Sequence, residues 1–206
     1  WEPFGVVAQI LPWNSPLGTL IWKLAPCLAA GNTVVLKPSE QSSCSTLDLM
    51  EVLLEADLPP GVLNVVTGFG DTAGAPLIDH PDVRMASFTG GTAGGRAVAS
   101  VAARQVKPII MELGGKSPQI VLADADLELA VNGVAAGIFP AAGQSCISGS
   151  RLLLHKSIAD EFTQRLIDVA GKARVGDPLD PATQIGPIAN RRHYEAVLAS
   201  IAAAEK

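Results

Sequence analysis

The sequence predicts an α/β fold: a doubly wound parallel sheet over residues 1–113, followed by the start of a second α/β domain over 114–206. Three observations lead there. Short apolar runs alternate with amphipathic helical stretches five times in succession, the pattern of βαβ units whose right-handed crossovers make a parallel sheet. Ala, Val, Leu, Ile and 20 Gly dominate, with 48% hydrophobic and only 4% aromatic residues, which suits strands buried on both faces and joined by tight turns. Past Gly114-Gly115 the pattern changes, which puts a domain boundary near Gly114.

The elements follow in order. Residues 6–11 are a β-rich run closed by Pro12, and 17–30 read as a helix stopped at Gly31, where a left-handed C-cap residue is expected. Residues 33–36 form a short buried strand. Residues 45–56 form a helix with apolar positions Leu47, Met50, Leu53 and Leu54 at helical spacing. Pro59-Pro60-Gly61 turns the chain into a strand at 62–67. Helices are expected over 72–78 and 92–104, separated by a strand at 85–88, and 107–113 is the fifth strand. The second domain opens with a strand at 117–122, a helix at 127–139, a strand at 151–154 and a helix at 158–173. A last helix, 190–205, runs to the end of the sequence. That helix, and the sheet entered abruptly at residue 1, suggest an internal piece of a longer protein.

Composition narrows the function. A net charge of −5 without a basic run argues against nucleic acid as a partner. The three cysteines, Cys27, Cys44 and Cys146, lack the spacing of a disulfide framework or a zinc site, so no metal is expected and a reducing, cytoplasmic setting is. The longest apolar runs fall short of the ~20 residues of a membrane span.

Several residues could carry chemistry. Cys146 ends the segment Gly143-Gln144-Ser145-Cys146, a glycine-containing turn after a helix that can present a thiol to a cleft. Cys27, inside an apolar helix, reads as core and Cys44 as an incidental small residue. Glu112 closes an apolar strand before Gly114-Gly115, and carboxyl ends of parallel strands form the ligand crevice of such sheets. There it could act as a general base, or be a plain surface carboxylate. Asn14, in Pro12-Trp13-Asn14, offers a neutral amide to an oxyanion, or caps the next helix. Gly70, in a turn that only partly resembles a dinucleotide fingerprint, and Phe88-Thr89-Gly90-Gly91 with Gly95 can expose backbone N–H groups to a phosphate at a helix start. Lys37, Ser39 and Glu40 follow a strand, where Lys can donate to ribose hydroxyls and Glu can accept from them. An exposed salt bridge would explain that pair equally.

Taken together, Pro12-Trp13-Asn14, Lys37-Pro38-Ser39-Glu40, Phe88-Thr89-Gly90, Glu112 through Pro118 and Gly143 through Cys146 resemble the NAD(P)-dependent aldehyde dehydrogenase superfamily in order and spacing, along the whole chain. The resemblance implies a Rossmann-like cofactor domain, then part of the catalytic domain. It implies oxidation of a small-molecule aldehyde to a carboxylic acid. Cys146 would be the nucleophile that forms a thiohemiacetal and then a thioester. The Asn14 amide and the Cys146 N–H would hold the oxyanion, and Glu112 would activate the hydrolytic water. It implies NAD, with NADP as the second possibility, bound by Pro12, Trp13, Lys37, Ser39, Glu40, Gly70, Phe88, Thr89, Gly90, Gly91, Gly95 and the Leu113 carbonyl. A homodimer or homotetramer is implied for the full-length protein.

The sequence departs from family members at two positions. Gly91 stands where many carry Ser, which leaves backbone donors alone for the pyrophosphate. Ser15 stands where several place an aromatic residue, which suggests a wider aldehyde tunnel. Family chains also extend further on both sides, so the 206 residues alone are expected to be inactive. Three alternatives fit less well. An enzyme passing the acyl group to CoA would not need Glu112, and a relative without chemistry would not need Cys146, Glu112 and Asn14 together. A cysteine hydrolase would need a paired histidine, and His80, His155 and His193 lie in no pairing motif.

Overall fold

A computed structural model describes residues 2–205. It divides into two compact units, one ending at Gly114 and the other beginning at Gly115. In the first, β1 (Val6–Ile10), β2 (Thr33–Lys37), β3 (Leu63–Val65), β4 (Val83–Thr89) and β5 (Ile109–Glu112) form one parallel sheet in the order β3-β2-β1-β4-β5. This is the parallel α/β sheet that the alternation predicts. β1 lies at its centre, with Val7 opposite Val34 of β2 and Ala8 opposite Ala86 of β4. The chain winds outward from β1 in one direction and from β4 in the other. The reversal between these strands is where open α/β sheets form a ligand crevice, outside the carboxyl ends.

The alternation along β1 assigns helices to both faces. Ala8 and Ile10 pack with Ile78, Val98 and Ala102, which lie on α3 (Ala75–Asp79) and α4 (Thr92–Ala103). Leu11 packs instead with Leu20, Leu24, Val34 and Leu36, against α1 (Pro16–Ala29) and α2 (Ser43–Leu54). Leu20 and Leu36 are fully buried. Each contributes about 1.5–3 kcal/mol by leaving water, and Leu20→Ala would cost about 2–5 kcal/mol.

Three local expectations are corrected. The cap position of α1 is Ser15, in a left-handed conformation, one residue past Asn14: Pro16 occupies the first turn, where its missing N–H and fixed φ fit. The core-facing stripe of α2 is the half-buried Leu49, Met50 and Leu53, while Leu47 and Leu54 are exposed. The helix expected over 72–78 is instead a single π turn, Gly70–Gly74, running into α3. A regular helix through both would drive the Pro76 ring into the Thr72 carbonyl, and the wider turn avoids that clash.

The end of α1 is as the sequence predicts. Gly31 has φ +81°, its N–H donates to the Leu28 carbonyl, and the Asn32 N–H donates to the Cys27 carbonyl. This pairing satisfies the last carbonyls of the helix.

In the second unit β6 (Pro118–Val121) pairs in parallel with β7 (Arg151–Leu154). One face packs on α5 (Leu127–Ile138) and α6 (Ala159–Ala170) around Val121, Val131, Val134 and Phe162. Asp126 caps α5 by accepting from the Leu129 N–H at 3.0 Å, and Asn190 caps α7 (Arg191–Ala204) by accepting from His193 at 2.9 Å. Among the described residues no helix is long and apolar enough to cross a membrane.

Candidate active site

Because the first sheet is parallel, the carboxyl ends of its strands share one edge. Pro12, Trp13 and Asn14 leave β1 there, Lys37 ends β2, Thr89 ends β4 and Glu112 ends β5. Thr89 and Glu112 are register partners, and the Gly90 N–H donates to the Glu112 carbonyl at 3.1 Å, which fixes the turn after β4 to the end of β5. Glu112 itself is exposed, Pro12 is buried, and Trp13 and Asn14 are half-buried.

Lys37 is 2% exposed, and its ammonium donates to the carbonyls of Pro38 at 2.7 Å and Gly68 at 2.8 Å. The bond to Gly68 ties the end of β2 to the turn after β3, and the bond to Pro38 is local. Burial pushes the Lys37 ammonium below its ordinary value, with the Glu40 carboxylate acting against that. The π turn that begins at Gly70 brings Gly74 onto the Lys37 stem, where a Cβ would lie 3.5 Å from Cδ. Ser39 is buried and accepts from the Gln41 N–H at 3.3 Å, leaving Glu40 exposed beyond it.

The glycines after β4 have a packing reason. Phe88 is a core residue whose ring lies under the turn, so a Cβ at Gly90 would approach it to 2.6 Å and one at Gly94 to 2.9 Å. Gly95 is buried against Leu113, 2.7 Å from Cδ2 by the same measure. Gly91 stands at the α4 cap position with no side-chain cap, and among the described residues the buried Thr89 hydroxyl has no hydrogen-bond partner. A bare helix start beside an orphaned hydroxyl fits an anionic, hydrogen-bonding cofactor.

Cys146 lies in the second unit, exposed, on the turn that follows the short 3₁₀ stretch Pro140–Gly143. Ala141 and Ala142 are left-handed at φ +51° and +53°, with Gly143 at +71°. Such a conformation costs a non-glycine residue about 1–2 kcal/mol, so the approach to Cys146 is strained. Among the described residues the Cys146 N–H takes no backbone acceptor. Of the other thiols, Cys27 is half-buried and raised by burial, and Cys44 is exposed on α2.

The aldehyde dehydrogenase family model matches residues 1–206. The chain belongs to the aldehyde dehydrogenase family. It is 48% identical over 204 residues to a chloroplastic aminoaldehyde dehydrogenase of Arabidopsis thaliana, covering 99% of this chain and 41% of the relative. It is 50% identical over 199 residues to phenylacetaldehyde dehydrogenase of Pseudomonas fluorescens, covering 97% and 40%. The chain thus spans about two fifths of the length of the curated relatives it matches. PnpE, crystallised in complex with nicotinamide adenine dinucleotide, superposes with a TM-score of 0.92 at 51% identity, over 96% of this chain and 41% of that one. Betaine aldehyde dehydrogenase from Staphylococcus aureus, in complex with NAD+, gives 0.93 at 42% identity, over 97% and 40%.

Within the aldehyde dehydrogenase fold, the first unit gathers Pro12, Trp13, Asn14, Lys37, Thr89, Gly90, Glu112 and Leu113 along one sheet edge. One nearby residue was not legible as a candidate. Lys23, on α1, donates to the Ser87 hydroxyl of β4 at 2.7 Å, and its backbone carbonyl accepts from Gln9 at 3.0 Å. Burial lowers the Lys23 ammonium and the Glu112 charge partly restores it. The signal available in the sequence was a lone charge inside an otherwise apolar helix.

Proposed function

We propose that the protein is an NAD(P)-dependent aldehyde dehydrogenase that makes carboxylic acids, with residues 1–113 serving the cofactor and 114–206 carrying the nucleophile. The observation that carries this reading is Cys146: an exposed thiol on a strained turn, in a chain of the aldehyde dehydrogenase family.

The Cys146 thiolate attacks the aldehyde carbon and forms a C–S bond, and the carbonyl oxygen becomes an oxyanion. The Asn14 side-chain amide and the Cys146 N–H donate to that oxygen where charge develops. A bound nicotinamide cofactor would supply the acceptor for the hydride of that carbon. The oxyanion collapses to a thioester on Cys146. Glu112 takes a proton from water, the water oxygen attacks the thioester carbon, and the C–S bond breaks to release acid and restore the Cys146 thiolate, with the proton left on Glu112.

The residues that would hold the cofactor are the α4 start (Gly90, Gly91, Gly95), Thr89, the Lys37–Glu40 segment, Gly70, Pro12, Trp13 and the Leu113 carbonyl. Phe88 supports the turn from beneath. The exposed Glu40 carboxylate favours NAD, since it accepts from ribose hydroxyls and repels the extra phosphate of NADP.

The test is NADH or NADPH formation by the full-length protein against a panel of aldehydes. Cys146→Ala should abolish it, and Cys27→Ala and Cys44→Ala should retain it. Near-parental turnover by Cys146→Ala would remove the nucleophile assignment.

A further inference from the structure

The strained turn that bears Cys146 must be held by something outside itself. On one side it meets the chain entering β6. A Cβ at Gly115 would lie 2.8 Å from the Cys146 carbonyl oxygen, and Arg151, just past the turn, donates from Nε to the Lys116 carbonyl at 2.7 Å. On the other side the contact runs through Gly149, three residues beyond the thiol. The Gly149 N–H donates to the Gly137 carbonyl of α5 at 2.9 Å, and the Gly149 carbonyl accepts from Gln119 Nε2 at 2.9 Å. The same amide group reaches the Val134 carbonyl of α5 at 3.3 Å.

The two glycines facing Gln119 have no backbone reason to be glycine. Gly137 lies within a regular helix, where Ala would be favoured by about 1 kcal/mol, and Gly149 does not have a left-handed φ. The reason is the carboxamide. A Cβ at Gly137 would come within 2.6 Å of Gln119 Oε1, and one at Gly149 closer still to Gln119 Cγ and Cδ. Gln119 therefore lies flat between α5 and the Cys146 turn, in a slot that only two missing side chains open.

We propose that Gln119 is a positioning residue for the nucleophile, setting the placement of the Cys146 sulfur through the Gly149 peptide. The inference rests on the reading of Cys146 as the nucleophile. A displacement of about 1 Å in a reacting group can cost on the order of 100-fold in rate, so a clamp this close to the thiol has leverage out of proportion to its two hydrogen bonds.

The experiment uses the full-length protein. Gln119→Met keeps the length of the side chain and removes the donor. We expect kcat to fall at least about tenfold, with KM for the cofactor and the melting temperature near parental. Gly149→Ala should lose activity comparably in the parent, by pushing the carboxamide aside, and lose little further in a Gln119→Ala background, where nothing remains to push. Parental kcat in Gln119→Met overturns the proposal. So does a loss that tracks melting temperature, a failure to fold, or an equal cost of Gly149→Ala in both backgrounds. Turnover that survives Cys146→Ala would instead refute the nucleophile reading, so the two failures are told apart.

Discussion

Lys23 Nζ and Ser87 Oγ are joined by a 2.7 Å hydrogen bond that links the middle of α1 to β4. The two residues contribute unequally to stability. Ser87 is buried, and its hydroxyl is an acceptor for a cation that burial already disfavours. Ser87→Ala strands that ammonium and should destabilise by about 1–3 kcal/mol. Lys23→Met removes the charge and leaves only the neutral Ser87 hydroxyl without this partner, so it should cost less than Ser87→Ala. Urea denaturation of both variants checks this, and the order reversed would refute it.

The left-handed Ala142 offers a second test. Gly at this position relieves about 1–2 kcal/mol of strain and loses about 0.4–1 kcal/mol to the greater freedom of the unfolded chain. Ala142→Gly should therefore stabilise by roughly 0.5–1 kcal/mol, and Ala142→Val should destabilise, because a β-branched residue suits φ +53° worse still. Thermal melts of the pair decide it. A loss of stability in the glycine variant would mean that the turn is not strained.

Acid stability should report on Asp79. Arg104 donates to its Oδ1 at 3.1 Å and holds the carboxyl below its ordinary value of 3.8, with partial burial opposing and Gln105 and Lys107 assisting. A depressed folded value means that the contribution is complete above 3.8 and is lost as pH falls below it, through the folded value. Arg104→Gln should lower the urea midpoint near neutral pH and flatten its decline in the acid range. Parent and variant curves that stay parallel down to the acid limit would remove the pair from the account.

Cofactor choice tests the end of β2. Glu40 is exposed just beyond the buried Lys37, and we expect the parent to prefer NAD without excluding NADP. Glu40→Ser should narrow the gap by about fivefold, the scale of a partly screened charge interaction of ~1 kcal/mol. Comparing kcat/KM for both cofactors on parent and variant gives the answer, and a parent that prefers NADP would refute it.

The sheet was legible because its strands are apolar runs bounded by Pro and Gly, and a run such as Val6–Ile10 has few other ways to be buried on both faces. Glu112 and Cys146 stood out as candidates because Glu112 ends a strand just before Gly114-Gly115 and Cys146 closes a glycine-containing turn. The misplaced boundaries came from prolines whose positions were informative. Pro16 starts α1 and puts the cap position at Ser15, one residue past Asn14, and Pro76 forbids a continuous helix from Thr72. Lys23, Gln119 and the left-handed Ala141 and Ala142 were hidden for a different reason. Their roles depend on partners far away in the chain or on backbone angles, neither of which a local pattern of residues records.

The central claim is that Cys146 carries the acyl group and Glu112 releases it. The most direct measurement is peptide mass mapping of full-length Glu112→Gln, quenched soon after mixing with aldehyde and NAD. Water then lacks its proton acceptor, so deacylation should slow by about 100-fold or more. An acyl adduct should accumulate on Cys146 and not on Cys27 or Cys44. An adduct on another cysteine, or parental turnover with no adduct at all, would contradict the account.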